Sequence, residues 1–463
     1  MPSDTKRLTK GGDDVGSSKK RQEHFHEKSR ARGRQFAIAQ DARMDDFSVT
    51  ITRRVESLMR ACVIHSQDVD SVDAVAELIA GAQVALGTSL PCVAMLFAGI
   101  DHDFAVVLEQ INAQWPGIAL IGCTTDGEMS SHILFAEDSL ALVLLSGDDC
   151  HAVSGVARSV STDLVGCIRA SVNDAVQRLA RSGGGDLPSH GAAPRLCITM
   201  PDGLTVSGSA ALTALRMALG DAVPIFGGTA GDQWRFTGTR QFHGTEVLQD
   251  SVPFILFGEG VVFSFGVDTG WRPIGREGRV TDVDGHVVRA IDGRPATEFY
   301  REFLGNADIT HLTEYPLAVA AEDGRANSYY LRAPGRTDEA GGCIHFLGDV
   351  PDGARVHITT TNRDQILAAT RSSFRRALDD FPQDSGGDGK PALALCISCA
   401  GRKQILGSRT QEEVRLVKEL LGDVPAVGFY GYGEIAQLEK DGISHYHNET
   451  FTTLLLGGRF GSA

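Results

Sequence analysis

The chain has 463 residues, 42% of them hydrophobic and 22% charged, the balance of a soluble globular protein long enough for two or three domains. Its net charge of −15 argues against a general nucleic-acid or membrane-surface role for the body of the chain. Nine scattered cysteines, no leader with an apolar core and no unbroken apolar run near the roughly 20 residues that span a bilayer predict a reduced, cytoplasmic protein with no transmembrane helix.

Residues 1–46 carry Lys19-Lys20-Arg21 and Arg30-Ala-Arg-Gly-Arg34 with almost no apolar periodicity. Such a segment buries too little surface to offset its chain entropy, so a disordered basic tail is expected. Helical spacing of Val72, Val75, Ala76 and Ile79 then predicts a helix over 69–85. A strand over 92–98, a helix over 103–113, a strand over 118–121 and a strand over 139–146 follow, with Trp115-Pro-Gly117 as the turn between helix and strand. A helix over 164–180 leads through a glycine-rich connector, 183–193, into the same order again: strand 195–200, helix 207–219, strand 252–257. Beyond 268 the pattern becomes β-rich. A hairpin over 278–291 turns at Asp284-Gly285, a helix occupies 296–304, and strands are expected over 317–319, 328–332, 342–346 and 355–360. A helix over 364–379 stops at Phe381-Pro382, and the order strand, helix, strand returns at 392–398, 410–421 and 450–456.

The three similar blocks share one more feature. Each carries a glycine loop capped by an acid: Ile121-Gly-Cys-Thr-Thr-Asp-Gly127-Glu128, Phe226-Gly-Gly-Thr-Ala-Gly231-Asp232 and Val427-Gly-Phe-Tyr-Gly-Tyr-Gly433-Glu434. Short parallel strands joined by a helix demand a right-handed crossover, so the expected fold class is α/β, with repeated β-α-β units and a β-rich insert. The loops then fall at strand carboxyl ends, the usual ligand side of an α/β sheet. Glycine lets backbone N–H groups converge on an anion, and Glu128, Asp232 and Glu434 offer carboxylates to a cation, so a zwitterionic ligand suits the pair of features. The alternative is that the glycines make tight turns and the acids cap neighbouring structure.

From residue 50 to about 457 these motifs, with Gly270-Trp-Arg-Pro-Ile-Gly275, Ser398-Cys-Ala-Gly-Arg402 with Gly407, and His447-Asn448, make the chain resemble the FIST-domain proteins, a bacterial sensory family with an N-terminal and a C-terminal FIST half. The resemblance implies halves at 47–268 and 269–457, the β-rich insert lying in the second, and a short tail at 458–463. It implies an intracellular sensory input protein that binds an amino-acid-like metabolite and signals in trans to a histidine kinase, a diguanylate cyclase or a phosphodiesterase. The chain carries no recognisable output segment of its own. The resemblance extends to the haem-binding, nitric-oxide-sensing NosP proteins, so haem b is a possible cofactor.

The ligand-binding residues expected on these grounds are Gly122, Thr124, Gly127, Glu128, Gly227, Gly228, Gly231, Asp232, Cys399, Arg402, Tyr432, Gly433, Glu434 and Asn448. Arg402 follows a predicted strand end and suits a ligand carboxylate or haem propionate, or else a structural pair with Glu434 or another acid. His445 and His447 share a strand face and, with His243 and His132, are the axial-ligand candidates. Covalent haem attachment is excluded by the lack of Cys-x-x-Cys-His. Cys396 and Cys399 fall on opposite strand faces, which disfavours a shared metal. Without a nucleophile elbow, zinc-protease pair or dinucleotide fingerprint, catalysis is not expected, although Cys399 acting on an amino-acid-like substrate stands as an alternative.

Overall fold

Strands in the middle of each repeat assign alternate residues to two different cores. Val93, Met95 and Phe97 face one cluster while Ala94, Leu96 and Ala98 face another, and Leu393, Leu395 and Ile397 divide from Ala394 and Cys396 in the same way. This period-2 division is what a sheet covered on both faces requires. The computed structural model describes residues 59–147, 150–182, 193–305, 312, 314–320, 329–383 and 389–458. The expected basic tail, residues 183–192 of the glycine connector and residues 459–463 lie outside these.

Three sheets repeat one plan, each built from an edge strand, a returning strand and a parallel pair. In the first they are Arg60–Ser66, Leu140–Ser146, Pro91–Ala98 and Ala119–Thr124, with helices Ser71–Leu86 and Phe104–Gln114 on the outer face. In the second they are Ala152–Arg158, Ser251–Phe257, Leu196–Thr199 and Ile225–Thr229, covered by Leu164–Ser182 and Gly208–Leu219. In the third they are Val261–Asp268, Phe451–Gly458, Leu393–Cys399 and Ala426–Gly431, covered by Arg363–Asp380 and Thr410–Leu421. Side-chain caps start several of these helices: Asp70, Asp103 and Ser207 accept from first-turn N–H groups, and Asn362 with Gln365 forms a reciprocal capping box.

Each sheet is completed by a hairpin borrowed from another repeat. The hairpin of Gln241–His243 and Glu246–Leu248, from the second repeat, pairs onto Ala119–Thr124 of the first. That of Gly433–Gln437 and Ser444–His447, from the third, pairs onto Ile225–Thr229 of the second. That of Glu128–Ser130 and Leu134–Ala136, from the first, pairs onto Ala426–Gly431 of the third. The exchange is cyclic, second repeat to first, third to second and first to third. The inner faces of all three sheets share one core, including Phe97, Phe226, Phe257, Phe429 and Leu454. The two halves expected from the sequence are therefore interlocked, and Val261–Asp268 belongs to a sheet of the third repeat.

One glycine in each repeat is demanded by this packing. A Cβ on Gly122, Gly227 or Gly428 would fall on the carbonyl oxygen of Leu96, Thr199 or Cys396 in the neighbouring parallel strand. These three glycines permit a close backbone approach. Gly428→Ala is expected to destabilise the fold by about 1–3 kcal/mol, the usual scale of overpacking. An unchanged urea midpoint in that variant would refute the steric account.

The insert, between Val261–Asp268 and Arg363–Asp380, is an antiparallel sheet around its own core. The 13-residue strand Arg272–Asp284 is shared along the sheet, and its irregular register near Ile274/Gly278 and Val280/Asp282 curls the sheet over helix Ala296–Leu304. The insert docks on the third repeat through Asn448, whose Oδ1 accepts from Ala333 N at 3.3 Å, and on the second through Asp349, which accepts from Ser209 at 2.9 Å.

Candidate functional site

The three glycine corners meet and bond to one another. Asp126 N donates to Tyr430 O at 2.8 Å and Tyr430 N returns to Gly127 O at 2.9 Å. Gly231 N donates to Thr124 O at 2.9 Å, and Tyr432 N to Thr229 O at 3.3 Å. Gly127 N is taken by Thr125 Oγ1 and Asp232 N by the Tyr432 hydroxyl. The N–H groups expected to cradle a ligand anion at these corners are engaged in holding the repeats together. The hub's unpartnered polar atoms are acidic.

Ladder register also corrects the equivalence of the acids. Glu128 stands opposite Phe429, Gln241 opposite Cys123 and Glu434 opposite Gly228, which are matching positions in three sheets. The counterpart of Glu128 and Glu434 in the second repeat is thus Gln241. Asp232 lies in a stretch between corner and hairpin that displaces the true counterpart along the chain. Each of the three matched side chains accepts from a hydroxyl at the head of its returning strand: Glu128 from Ser139, Gln241 from Ser251 at 3.1 Å, and Glu434 from Thr450 at 2.8 Å. Glu128 also accepts from Thr125, while Ser139 and Ser130 bracket the His65 ring at 2.8 Å each.

Asp232 has a different task. Its carboxylate accepts from the Tyr432 hydroxyl at 2.5 Å and from the N–H groups of Phe236, Thr237 and Gly238. Burial opposes ionisation, but these donors outweigh it and hold the carboxyl below its ordinary value. They fix a loop in which Gln233, Trp234 and Phe236 all have positive φ, with Phe236 stacked on Tyr432 at 5.2 Å and Trp234 edge-on to it at 6.1 Å. Non-glycine residues in that region carry strain that the surroundings must compensate.

Three carboxylate oxygens in the hub region have no partner: Asp126 Oδ2, Glu434 Oε1 and Glu449 Oε2. Burial raises the Asp126 carboxyl to about 6 and Glu449 to about 8, and pushes Glu434 well above the usual carboxylate range. Asp126 and Glu449 were not singled out from the sequence. Their signals were Asp126 between Thr125 and Gly127 in the first loop, and Glu449 directly after His447-Asn448.

The other expected site residues separate into those near the hub and those with internal duties. Gly433 stands opposite Thr229 in the ladder; a Cβ on Gly228 would meet Gly433 O, and one on Gly433 would meet the Tyr446 hydroxyl. Asn448 bridges Tyr432 O and Ala333 N. Cys399 is buried beside Glu434 and Glu449; burial first, then those carboxyls, drive its thiol far up, so it stays protonated and is a poor nucleophile. Arg402 has no exposed surface, and five acceptors surround its guanidinium: Ser398 Oγ, Thr269 O, Ile366 O, Thr370 Oγ1 and Glu413 Oε1, the last at 2.6 Å. The internal acid it pairs with is Glu413 rather than Glu434.

Among the described residues no group of three or more histidine, cysteine and acidic side chains is arranged to hold a metal. His447 Nε2 donates to Ala436 O, 3.1 Å away, and its Nδ1 has no partner. It has no accessible surface. His445 is half-buried between the rings of Tyr330 and His447. His243 faces Glu246 at 3.5 Å on an outer hairpin, and His132 lies on another hairpin turn.

The chain matches the FIST N domain over residues 92–294 and the FIST C domain over 296–437. It belongs to the FIST-domain proteins. This FIST protein is 27% identical over 391 residues to an uncharacterized protein of Mycobacterium tuberculosis, covering 80% of this chain and 93% of that one. It is 25% identical over 363 residues to an uncharacterized protein of Methanocaldococcus jannaschii, covering 73% and 67%. FIST domains are sensory and signalling domains. No helix among the described residues is long and apolar enough to cross a membrane.

Proposed function

We propose that this FIST protein is an input module that binds a small amino-acid-like metabolite and passes its occupancy in trans to a histidine kinase or a cyclic-dinucleotide enzyme. The observation that carries the reading is the hub itself. Corners from all three repeats are hydrogen-bonded there, and Asp126, Glu434 and Glu449 each present an unpartnered carboxylate oxygen. A ligand ammonium satisfying those oxygens would bear on three sheets at once, which suits a sensor better than a catalyst. The protonated state of Cys399 likewise supports binding over turnover.

The test is thermal stabilisation by the L-amino acids in wild type, Asp126→Asn and Glu434→Gln, followed by assay of a kinase or cyclase encoded nearby with and without the stabilising compound. Selective stabilisation is expected, weakened in both variants, with a changed partner activity. A panel in which no amino acid or related amine moves the melting temperature, and a partner indifferent to the protein, would end this reading.

A further inference from the structure

Among the described residues, two arginines are almost wholly buried, and the fold treats them differently. Arg402 is given a carboxylate, Glu413. Arg332, with 5% of its surface exposed, is given carbonyl oxygens alone: Asp349 O at 2.8 Å on Nε, and Leu331 O and Tyr446 O at 2.9 Å on Nη1. Among the described residues none accepts from its Nη2, and none places a carboxylate within ion-pair distance. The Asp349 carboxylate, the acid whose charge acts on Arg332, already accepts from Ser209.

The surroundings of Arg332 are built. Its guanidinium lies 4.3 Å from the Tyr330 ring and 5.8 Å from that of Tyr446, two aromatic neighbours for the cation. Gly348 packs against it, where a Cβ would stand 3.0 Å from Nε and 3.2 Å from the Tyr446 ring. Arg332 closes the seam between the insert and the hairpin strand Ser444–His447, and a seam between two structural units is where small-molecule sites concentrate. Beside it, buried His447 has a second unpartnered polar atom, Nδ1, and its ring lies in the field of Arg332. His447 faces Glu434 across the ladder, and Glu434 bears one of the unpartnered oxygens. A buried cation held by neutral acceptors, with a donor to spare, is arranged to receive an anion.

We propose that Arg332 is a carboxylate-recognising residue and that this seam takes the α-carboxylate of the ligand. The inference rests on the amino-acid-like reading and supplies its anionic end, with the hub acids at the cationic end.

The experiment compares each stabilising L-amino acid with its primary amide and its decarboxylated amine on wild type, Arg332→Met and Arg332→Lys, by calorimetry and thermal melting. The acid is expected to bind wild type at least about ten-fold more tightly than the amide, the scale of a lost charge-assisted hydrogen bond. Arg332→Met loses that preference, Arg332→Lys keeps part of it, and ligand-free Arg332→Met melts no lower than wild type because an unpaired buried charge has gone. Equal binding of acid and amide by wild type, or undiminished acid binding by Arg332→Met, overturns the assignment while leaving the sensor reading intact. A much lower melting point in Arg332→Met with unchanged affinity makes Arg332 a structural pin. If no amino acid binds wild type, the sensor reading fails, and acetate and formate against chloride at matched ionic strength then test the site: carboxylate-specific stabilisation absent in Arg332→Met upholds it, and its lack in wild type refutes it.

Discussion

Glu413→Ala is expected to cost about 3–5 kcal/mol of stability, because it leaves the Arg402 guanidinium buried without its counter-charge. Neither side chain of the pair has exposed surface. Glu413 also accepts from Thr370 at 2.6 Å, Ser398 at 3.2 Å and the Tyr430 hydroxyl at 2.6 Å. Tyr430 in turn exchanges backbone bonds with Asp126 and Gly127, so the pair props the hub from behind. The double variant Arg402→Met with Glu413→Leu should recover most of the loss, since apolar residues of similar volume often replace a buried ion pair at little cost. Urea denaturation of the two single variants and the double variant measures this. A loss in Glu413→Ala below about 1 kcal/mol, the scale of an ordinary surface change, would contradict the account. An Arg402→Ala variant of near-normal stability that no longer responds to ligand would restore the ligand-clamp role expected from the sequence.

Much of the fold was legible because the signals were local. The helix at Thr410–Leu421 and the strand at Arg355–Thr360 fall on the expected residues, and the three strand–helix–strand blocks stand in the expected order. The borrowed hairpins were not legible. Glu128–Ser130 and Gln241–His243 are three residues each, too short for a period to declare itself, and they are strands only because another repeat offers an edge. Helix Ala400–Leu406 was missed for a related reason: Cys399-Ala-Gly-Arg402 reads as a strand end and loop, while Arg402 is helical and anchored by contacts far away in the chain.

The hub was half legible. Repetition of the glycine loops pointed to corners that do come together, yet three of the glycines serve strand approach and the corner N–H groups bind other repeats. Matching Asp232 with Glu128 and Glu434 followed spacing after the glycines, and spacing cannot reveal residues inserted between corner and hairpin; only ladder register brings forward Gln241. Arg332 gave no signal, because an arginine ending a strand is ordinary until its burial and its missing acid are seen.

Stability should fall as pH rises from 6.5 to about 8. Glu128 and Glu449 have folded values near 7 and 8 against 4.5 in the unfolded chain, and burial raises Glu434 too, so within this window the folded state holds protons that the unfolded state has released. Raising the pH therefore favours unfolding, by about 2 kcal/mol from Glu449 alone over 1.5 pH units. His65 and His447, lowered by burial to about 4 and 3, act in the opposite sense: their contribution grows with pH and is complete above 6.5, so they do not mask the decline. The raised thiols stay protonated in both states through this range. Urea midpoints across the window provide the check, and Glu449→Gln should be more stable than wild type at pH 8 while matching it at pH 4. A flat or rising profile above 6.5 would mean the hub acids are already ionised and satisfied. A ligand ammonium seated among them would displace their protons, so saturating ligand should flatten the same slope and tie the titration to the site.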